Sequence, residues 1–406
     1  MKLKKLSLTI CVIFLLSGIK LNAQQPEKDW FQHAIQTAKA QLKLMSKTIG
    51  QLQTDSTFFP RSTTPENKIR MVGIHDWTSG FFPGSLWYAY ELTGDKELAE
   101  NARNYTKKLS EIQFYKGIHD VGFMMFCSYG NGIRLVPEKG DKEVLVNTAK
   151  SLASRFHAQV GLIKSWDHEP AWKYPVIIDN MMNLELLFEA SQMTGDKSFN
   201  NIAITHADNT MKNHFRPDMS TYHLVSYDPE TGAVLTKETH QGYSNSSSWA
   251  RGQAWGLYGY TVCYRYTKDK KYLDWAEKIA NYIMSNVKTE DKIPYWDYNA
   301  PDIPKSPRDA SAGAVTASAL LELSQVSSDG KKYFIYAEKI LKSLSSKVYL
   351  ANKGENHDFI LKHSVGSFPH NSEVDVPLNY ADYYYLEGLK RYNDINKLNK
   401  KNKTQK

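Results

Sequence analysis

Five short turns constrain this chain more than any other feature. They read Thr93-Gly94-Asp95-Lys96, Gly140-Asp141-Lys142, Thr194-Gly195-Asp196-Lys197, Thr267-Lys268-Asp269-Lys270 and Ser328-Asp329-Gly330-Lys331. Their aspartates are 46, 55, 73 and 60 residues apart. In most copies an apolar, aromatic stretch precedes the turn, as in Ser85-Leu86-Trp87-Tyr88-Ala89-Tyr90. A charged amphipathic stretch follows, as in Glu97-Leu98-Ala99-Glu100-Asn101-Ala102-Arg103. Glycine takes the left-handed conformation that ends one helix, and aspartate accepts the free N–H groups that begin the next. The pattern predicts helical hairpins with an apolar inner helix and an amphipathic outer one. A helix from about Trp30 to Ile49 and another from about Asn379 to Tyr392 complete a sixth pair, so the expected fold is an all-α toroid. An open solenoid is the alternative, although its repeats would be more uniform in length.

The ends differ from this body. Lys2, Lys4 and Lys5 precede an apolar run, Leu6 to Ser17, that is too short to span a bilayer comfortably. Lys20 and Asn22 interrupt it, and Ala23 is a plausible cleavage site, so residues 1–23 read as a secretory leader. Cys11 lacks the small-residue box of a lipid anchor. The expectation is export, to the periplasm or beyond the cell, with no membrane attachment after cleavage. Residues 24–395 read as one domain and 396–406 as a basic, disordered tail. The formal charge of +8 resides in leader and tail; residues 24–396 carry −1, which argues against a nucleic-acid surface. Cys127 and Cys263 make no disulfide framework and read as buried thiols. No histidine or cysteine spacing suggests a metal site, and no obligate protein partner is evident.

Because the turns are tight, the longer connections gather at the other end of the toroid, where variable loops carry function. Each delivers a polar or aromatic cluster to the start of an inner helix. The clusters are His75-Asp76-Trp77, His119-Asp120-Val121-Gly122-Phe123, Ile178-Asp179-Asn180, Trp249-Ala250-Arg251-Gly252-Gln253-Ala254-Trp255, Pro307-Arg308-Asp309 and Glu373-Val374-Asp375. Asp120 and Asp179 each stand at the mouth of an apolar run. Aspartate is a preferred helix cap, but two carboxylates costly to desolvate and brought to one cleft also make an acid/base pair. Ile177, Ile178, Met181 and Met182 predict a raised proton affinity for Asp179. Trp77, Trp166, Trp172, Trp249, Trp255, Trp296 and Tyr298 fall in or near the connections, and aromatic faces beside polar groups suit a sugar. Two short strands around Asp228-Pro229-Glu230-Thr231-Gly232 predict a β-hairpin within residues 216–241, bringing His223, His240 and Gln241 near Arg251. Arg251 suits a substrate carboxylate. His363-Ser364-Val365-Gly366-Ser367 is either a polar loop meeting an anionic substituent or an ordinary surface turn.

Taken together, the runs His-Asp-x-Gly-Phe, Ile-Ile-Asp-Asn-Met-Met-Asn, Ser-x-Tyr-His, Arg-Gly-Gln-Ala-Trp and Asp-Val-Pro-x-x-Tyr-Ala-Asp-Tyr-Tyr resemble the unsaturated glucuronyl hydrolases of glycoside hydrolase family 88, over roughly residues 30–392. The resemblance implies an (α/α)6 barrel that hydrates the C4=C5 double bond of a non-reducing-end uronic acid on a lyase-generated oligosaccharide. It implies Asp179 as proton donor and then base, and Asp120 as the carboxylate that tunes it. It implies that His223 and Gln241 flank the reacting bond and water and that His119 binds substrate. Arg251 and Trp255 line the sugar site, Trp77 and Trp166 stack on substrate, and no metal or organic cofactor is required. Ser364 and Ser367 match a Ser-x-x-Ser-x-Lys pattern associated with sulfate, but Pro369 stands where the lysine would be. The rival readings are an unsaturated rhamnogalacturonyl hydrolase, an inverting hydrolase of saturated glycans and a non-catalytic glycan-binding protein.

Overall fold

Helices alternate between an outer and an inner ring in the computed structural model, which describes residues 29–404; the expected leader lies outside the described residues. Outer α1 (Trp30–Leu52) leads to inner α2 (Phe81–Thr93), then outer α3 (Lys96–Lys108). Inner α4 (Val121–Met125) and α5 (Asn131–Leu135) are followed by outer α6 (Asp141–Ala153). Inner α7 (Leu184–Thr194) pairs with outer α8 (Lys197–Asn213), and inner α9 (Ala250–Thr267) with outer α10 (Lys270–Asn286). Inner α11 (Ala310–Leu323), outer α12 (Gly330–Leu344) and inner α13 (Asn379–Thr404) complete the series. α13 packs between α11 and α2, so the last inner helix meets the first and the ring closes.

Burial separates the two rings as the patterning requires. Every residue of α9 from Ala250 to Cys263 is buried. On α10 the buried set is a single stripe, Tyr272, Ala276, Ile279, Ala280 and Ile283, at helical spacing. The inner ring is also bound by hydrogen bonds. The Glu387 carboxylate on α13 accepts from Tyr88 of α2 and Tyr258 of α9, each at 2.9 Å, and from Ser318 of α11 at 2.5 Å.

Three turns follow the expected chemistry. Gly94 and Gly195 are left-handed, and Asp95, Asp196 and Asp269 each cap the following helix. Lys268 takes the left-handed position itself at φ 57°. The other two turns differ. Asp141 is the first residue of α6 and is buried in an ion pair with Arg103 at 3.0 Å. Asp329 sits at the cap position of α12 but makes no capping bond. The second inner helix is interrupted by a π-helical turn, Phe126–Gly130. The expected disordered tail is helical through Thr404, since nothing from Asn396 onward is a glycine or proline to stop α13.

All the strands lie in connections from an outer to the next inner helix, hence at one end of the barrel. They are β1 (Phe59–Thr63) with β2 (Ile69–Val72), and β3 (Phe156–His157) with β4 (Leu162–Ile163). Then β5 (Tyr174–Ile177), β6 (Leu224–Tyr227) and β7 (Val234–Glu238) form one antiparallel sheet. Finally β8 (Ser364–Ser367) pairs with β9 (Ser372–Val376). The expected hairpin at 216–241 is therefore present as β6–β7, with β5 as a third strand ahead of Asp179.

Candidate active site

Neither aspartate caps its helix. Asp120 holds the N-cap position of α4, yet its side chain makes no capping bond. Asp179 is the second residue of a 3-10 turn, Ile178–Asn183, between β5 and α7. Pairing of Ile177 with Leu224, continued by Ile178 N–H donating to the His223 carbonyl at 2.9 Å, sets His223 beside this turn. The backbone N–H groups of His240 and Gln241 both donate to His223 Nδ1, at 2.9 and 3.1 Å. That assigns the ring proton to Nε2, which lies 3.6 Å from Asp179 Oδ2. Asp179 is buried, and its Oδ2 has no hydrogen-bond partner among the described residues. An unpaired buried carboxylate oxygen is costly, which marks a group kept for chemistry rather than stability.

The aspartates act on each other. Burial, and then the charge of Asp179, raise the proton affinity of Asp120 well above the usual carboxyl range. Two facing carboxyls lose their protons in steps that belong to the pair. Asp120 is the one whose carboxyl burial and the neighbouring like charge raise. His119 Nε2 is 3.3 Å from Asp120 Oδ1, and burial lowers its pKa to about 4, so it stays neutral at neutral pH.

Both aspartates line a cavity of about 360 Å³ at the strand-bearing end. His119, Trp77, Trp166, Gln241, Arg251 and Ser367 line it too. His223, Trp255 and Ser364, expected to contact substrate, are not among the residues that line it. His223 lies behind Asp179, Ser364 is fully buried at the start of β8, and Trp255 is core, packed on Phe123 and Tyr384. Trp249 and Trp296 are also core. Trp172 packs against Trp166 and donates to Glu238 at 3.1 Å.

Arg251 is already engaged. It bonds Asp309 at 3.0 Å and the carbonyls of Val365 and Gly366, and lies 4.6 Å over the Trp249 ring. Gln241 donates to the same Gly366 carbonyl at 3.1 Å. Both therefore hold β8 as a wall of the cavity.

The sequence reading missed Arg61 and Glu373. Arg61 Nε and Nη2 bond the two Glu373 oxygens at 2.7 and 2.9 Å, and Nη1 bonds Asp76 at 2.8 Å. Arg70 and Ser62 also reach Glu373. Burial works against ionisation of Glu373, but Arg61 outweighs it and holds the carboxyl below its usual range. These residues come from β1, β2 and β9, far apart in sequence. Glu373 lay inside a quoted cluster, so its place was visible while its partner was not. His168 and His370 were also missed; both line the rim, and the His370 ring lies 4.7 Å from that of His240.

At the opposite, tight-turn end a cavity of about 630 Å³ is walled by paired charges, including Glu185 with Arg265 and Glu322 with Arg265 and Arg391. It lacks the aspartate pair. Among the described residues no group of three or more His, Cys, Asp or Glu is arranged to hold a metal ion.

Known proteins are similar to this chain in sequence and in fold. An unsaturated glucuronyl hydrolase of Formosa agariphila is 46% identical over 342 residues, 83% of this chain and 85% of that protein. An unsaturated chondroitin disaccharide hydrolase of Streptococcus agalactiae is 34% identical over 381 residues, covering 92% of this chain and 94% of that one. The crystal structure of an unsaturated glucuronyl hydrolase specific for heparin superposes with a TM-score of 0.88 at 54% identity, over 91% of this chain and 98% of the other. The model of Glycosyl Hydrolase Family 88 matches residues 51–395, a stretch that contains both aspartates and most of the barrel: the chain belongs to that family.

Proposed function

We propose that this chain removes the 4,5-unsaturated uronic acid from the non-reducing end of lyase-generated oligosaccharides by hydrating its vinyl ether. The observation that carries the reading is the mutually coupled Asp120–Asp179 pair lining a cavity edged by Trp77 and Trp166. The pair shares a proton, which burial of Asp120 and the charge it faces help it to keep. Asp179, with His223 Nε2 behind it, gives that proton to C4. Positive charge develops at C5 and the ring oxygen, beside the two carboxylates. Water adds to C5 and loses a proton to Asp179, which restores the carboxyl. The resulting hemiketal opens to a C5 ketone and a C1 hemiacetal, and the hemiacetal collapses to an aldehyde as it releases the remaining saccharide as an alcohol. Proton and water are thus both accounted for without an external reagent.

The substrate class follows from the relatives named for glucuronyl and chondroitin disaccharide substrates, and suits a glycosaminoglycan-type disaccharide. Both arginines at the cavity are paired with carboxylates, Arg61 with Asp76 and Glu373 and Arg251 with Asp309. With Pro369 in the place of a lysine, this favours an unsulfated second sugar. The basic, apolar start of the sequence supports export, where lyase products are generated.

The test is incubation with unsaturated disaccharides from chondroitin, hyaluronan, heparin and rhamnogalacturonan, following loss of the double-bond ultraviolet absorbance. Loss with glucuronyl substrates is expected. Activity confined to rhamnogalacturonan fragments, or binding with no turnover, refutes the proposal.

A further inference from the structure

We infer that Asn183 caps helix α4 in place of Asp120, and so releases the Asp120 carboxylate to face Asp179. The inference rests on the hydrolase reading only for its kinetic consequences. An aspartate at an N-cap ordinarily accepts from the N–H two or three residues on. Here the third, the Phe123 N–H, donates instead to Asn183 Oδ1 at 2.9 Å, across 60 residues of sequence. Asp120 consequently makes no capping bond.

The approach is built into both segments. A Cβ placed on Gly122 would lie 2.4 Å from Asn183 Oδ1 and 2.7 Å from its Cα, so only glycine lets the asparagine in. Asn183 is fully buried at the end of the same 3-10 turn that carries Asp179. One amide therefore ties the element bearing one aspartate to the element bearing the other. Its Nδ2 is buried without a partner of ordinary geometry among the described residues, and lies near enough to Asp120 to favour its ionised form. On the adjoining turn, Asn180 Nδ2 anchors to the Ile163 carbonyl at 2.7 Å, which fixes that side of the pair. Asn183 is thus a positioning residue: it satisfies the helix end that Asp120 would otherwise satisfy.

Removing the amide has a directional consequence. In Asn183→Ala the Phe123 N–H is orphaned, and Asp120 turns to bond it. That full backbone bond replaces the poorer contact with Asn183 Nδ2, so the ionised form of Asp120 gains and the pair's upper titration step falls. In Asn183→Asp an oxygen still caps α4, but a third carboxyl joins the pair and raises that step. The alkaline limb of kcat is expected at lower pH in Asn183→Ala and at higher pH in Asn183→Asp. The alanine variant should lose ~10-fold in kcat, less than the ~100-fold or more of losing an acid/base group outright, with KM little changed because most of the cavity wall comes from other elements.

The experiment measures pH profiles of both variants on an unsaturated disaccharide and solves the structure of Asn183→Ala. An Asp120 carboxylate bonded to Phe123 N–H, with opposite limb shifts, supports the cap exchange. Asp120 unmoved in the crystal, or both profiles matching wild type, overturns it. If wild type is inactive the hydrolase reading fails, and the crystal structure alone decides the exchange. If Asn183→Ala does not fold, the limb shift of Asn183→Asp decides.

Discussion

At the scale of residues, the proposed chemistry depends on two carboxyls sharing a proton. Asp179→Asn is expected to fold normally and lose at least ~100-fold in kcat, the scale of a missing general acid. Steady-state kinetics beside a circular dichroism spectrum check this; near-normal turnover would remove Asp179 from the mechanism. Asp120→Asn removes the carboxyl whose proton affinity burial and the charge of Asp179 raise. The acid form must be present for turnover, so activity falls as pH rises through the pair's upper step. That step should lie lower in the variant, and its alkaline limb should move to more acid pH. His119 stays neutral, its pKa lowered by burial to about 4, so His119→Gln should leave the alkaline limb in place and act mainly on kcat.

At the scale of elements, the cavity wall is a strained hairpin held from both sides. Asn371, Glu373 and Asp375 all have positive φ, a conformation that costs non-glycine residues energy. Arg61, Arg70 and Ser62 hold it through Glu373 on one face, and Arg251 holds the β8 carbonyls on the other. Breaking a buried pair by removing one partner typically costs ~3–5 kcal/mol, less where water reaches it as at Arg61. Glu373→Gln is therefore expected to raise KM several-fold and to lower the unfolding midpoint in urea, with kcat less affected. A KM equal to wild type would show that the hairpin does not need this anchor. The strand register that sets His223 behind Asp179 belongs to this scale as well.

At the scale of the whole molecule, closure of the ring converts separated loops into one site. Glu387 joins α2, α9, α11 and α13 near the barrel axis, away from the aspartates. Glu387→Ala leaves Tyr88, Tyr258, Ser318 and Arg391 short of an acceptor. A loss of ~3 kcal/mol is expected, seen as a drop in thermal midpoint, with KM unchanged in the protein that remains folded. A stability equal to wild type would show that packing alone closes the ring. The inner helices explain why it packs so tightly: α11 is rich in alanine and serine, which let α9, α12 and α13 approach.

The alternation of inner and outer helices was legible in the turns, because caps and amphipathic stripes are local properties of neighbouring residues. The end of the barrel that carries the site, and both aspartates, were legible for the same reason. At one turn that departed from the pattern a distant partner intervened, since Arg103 pairs with Asp141. The remaining parts of the site were decided only by the fold. Arg61 meets Glu373 across 312 residues, and Asn183 meets Phe123 across 60. Whether Trp255 faced sugar or core depended on which side of α9 the ring enclosed. The proton affinity of a carboxyl likewise depends on how deeply it is buried and which charge it faces, and both are set by residues that only folding brings near. The sequence by itself therefore determined which groups could do the chemistry, and the tertiary structure decided which of them were free to do it.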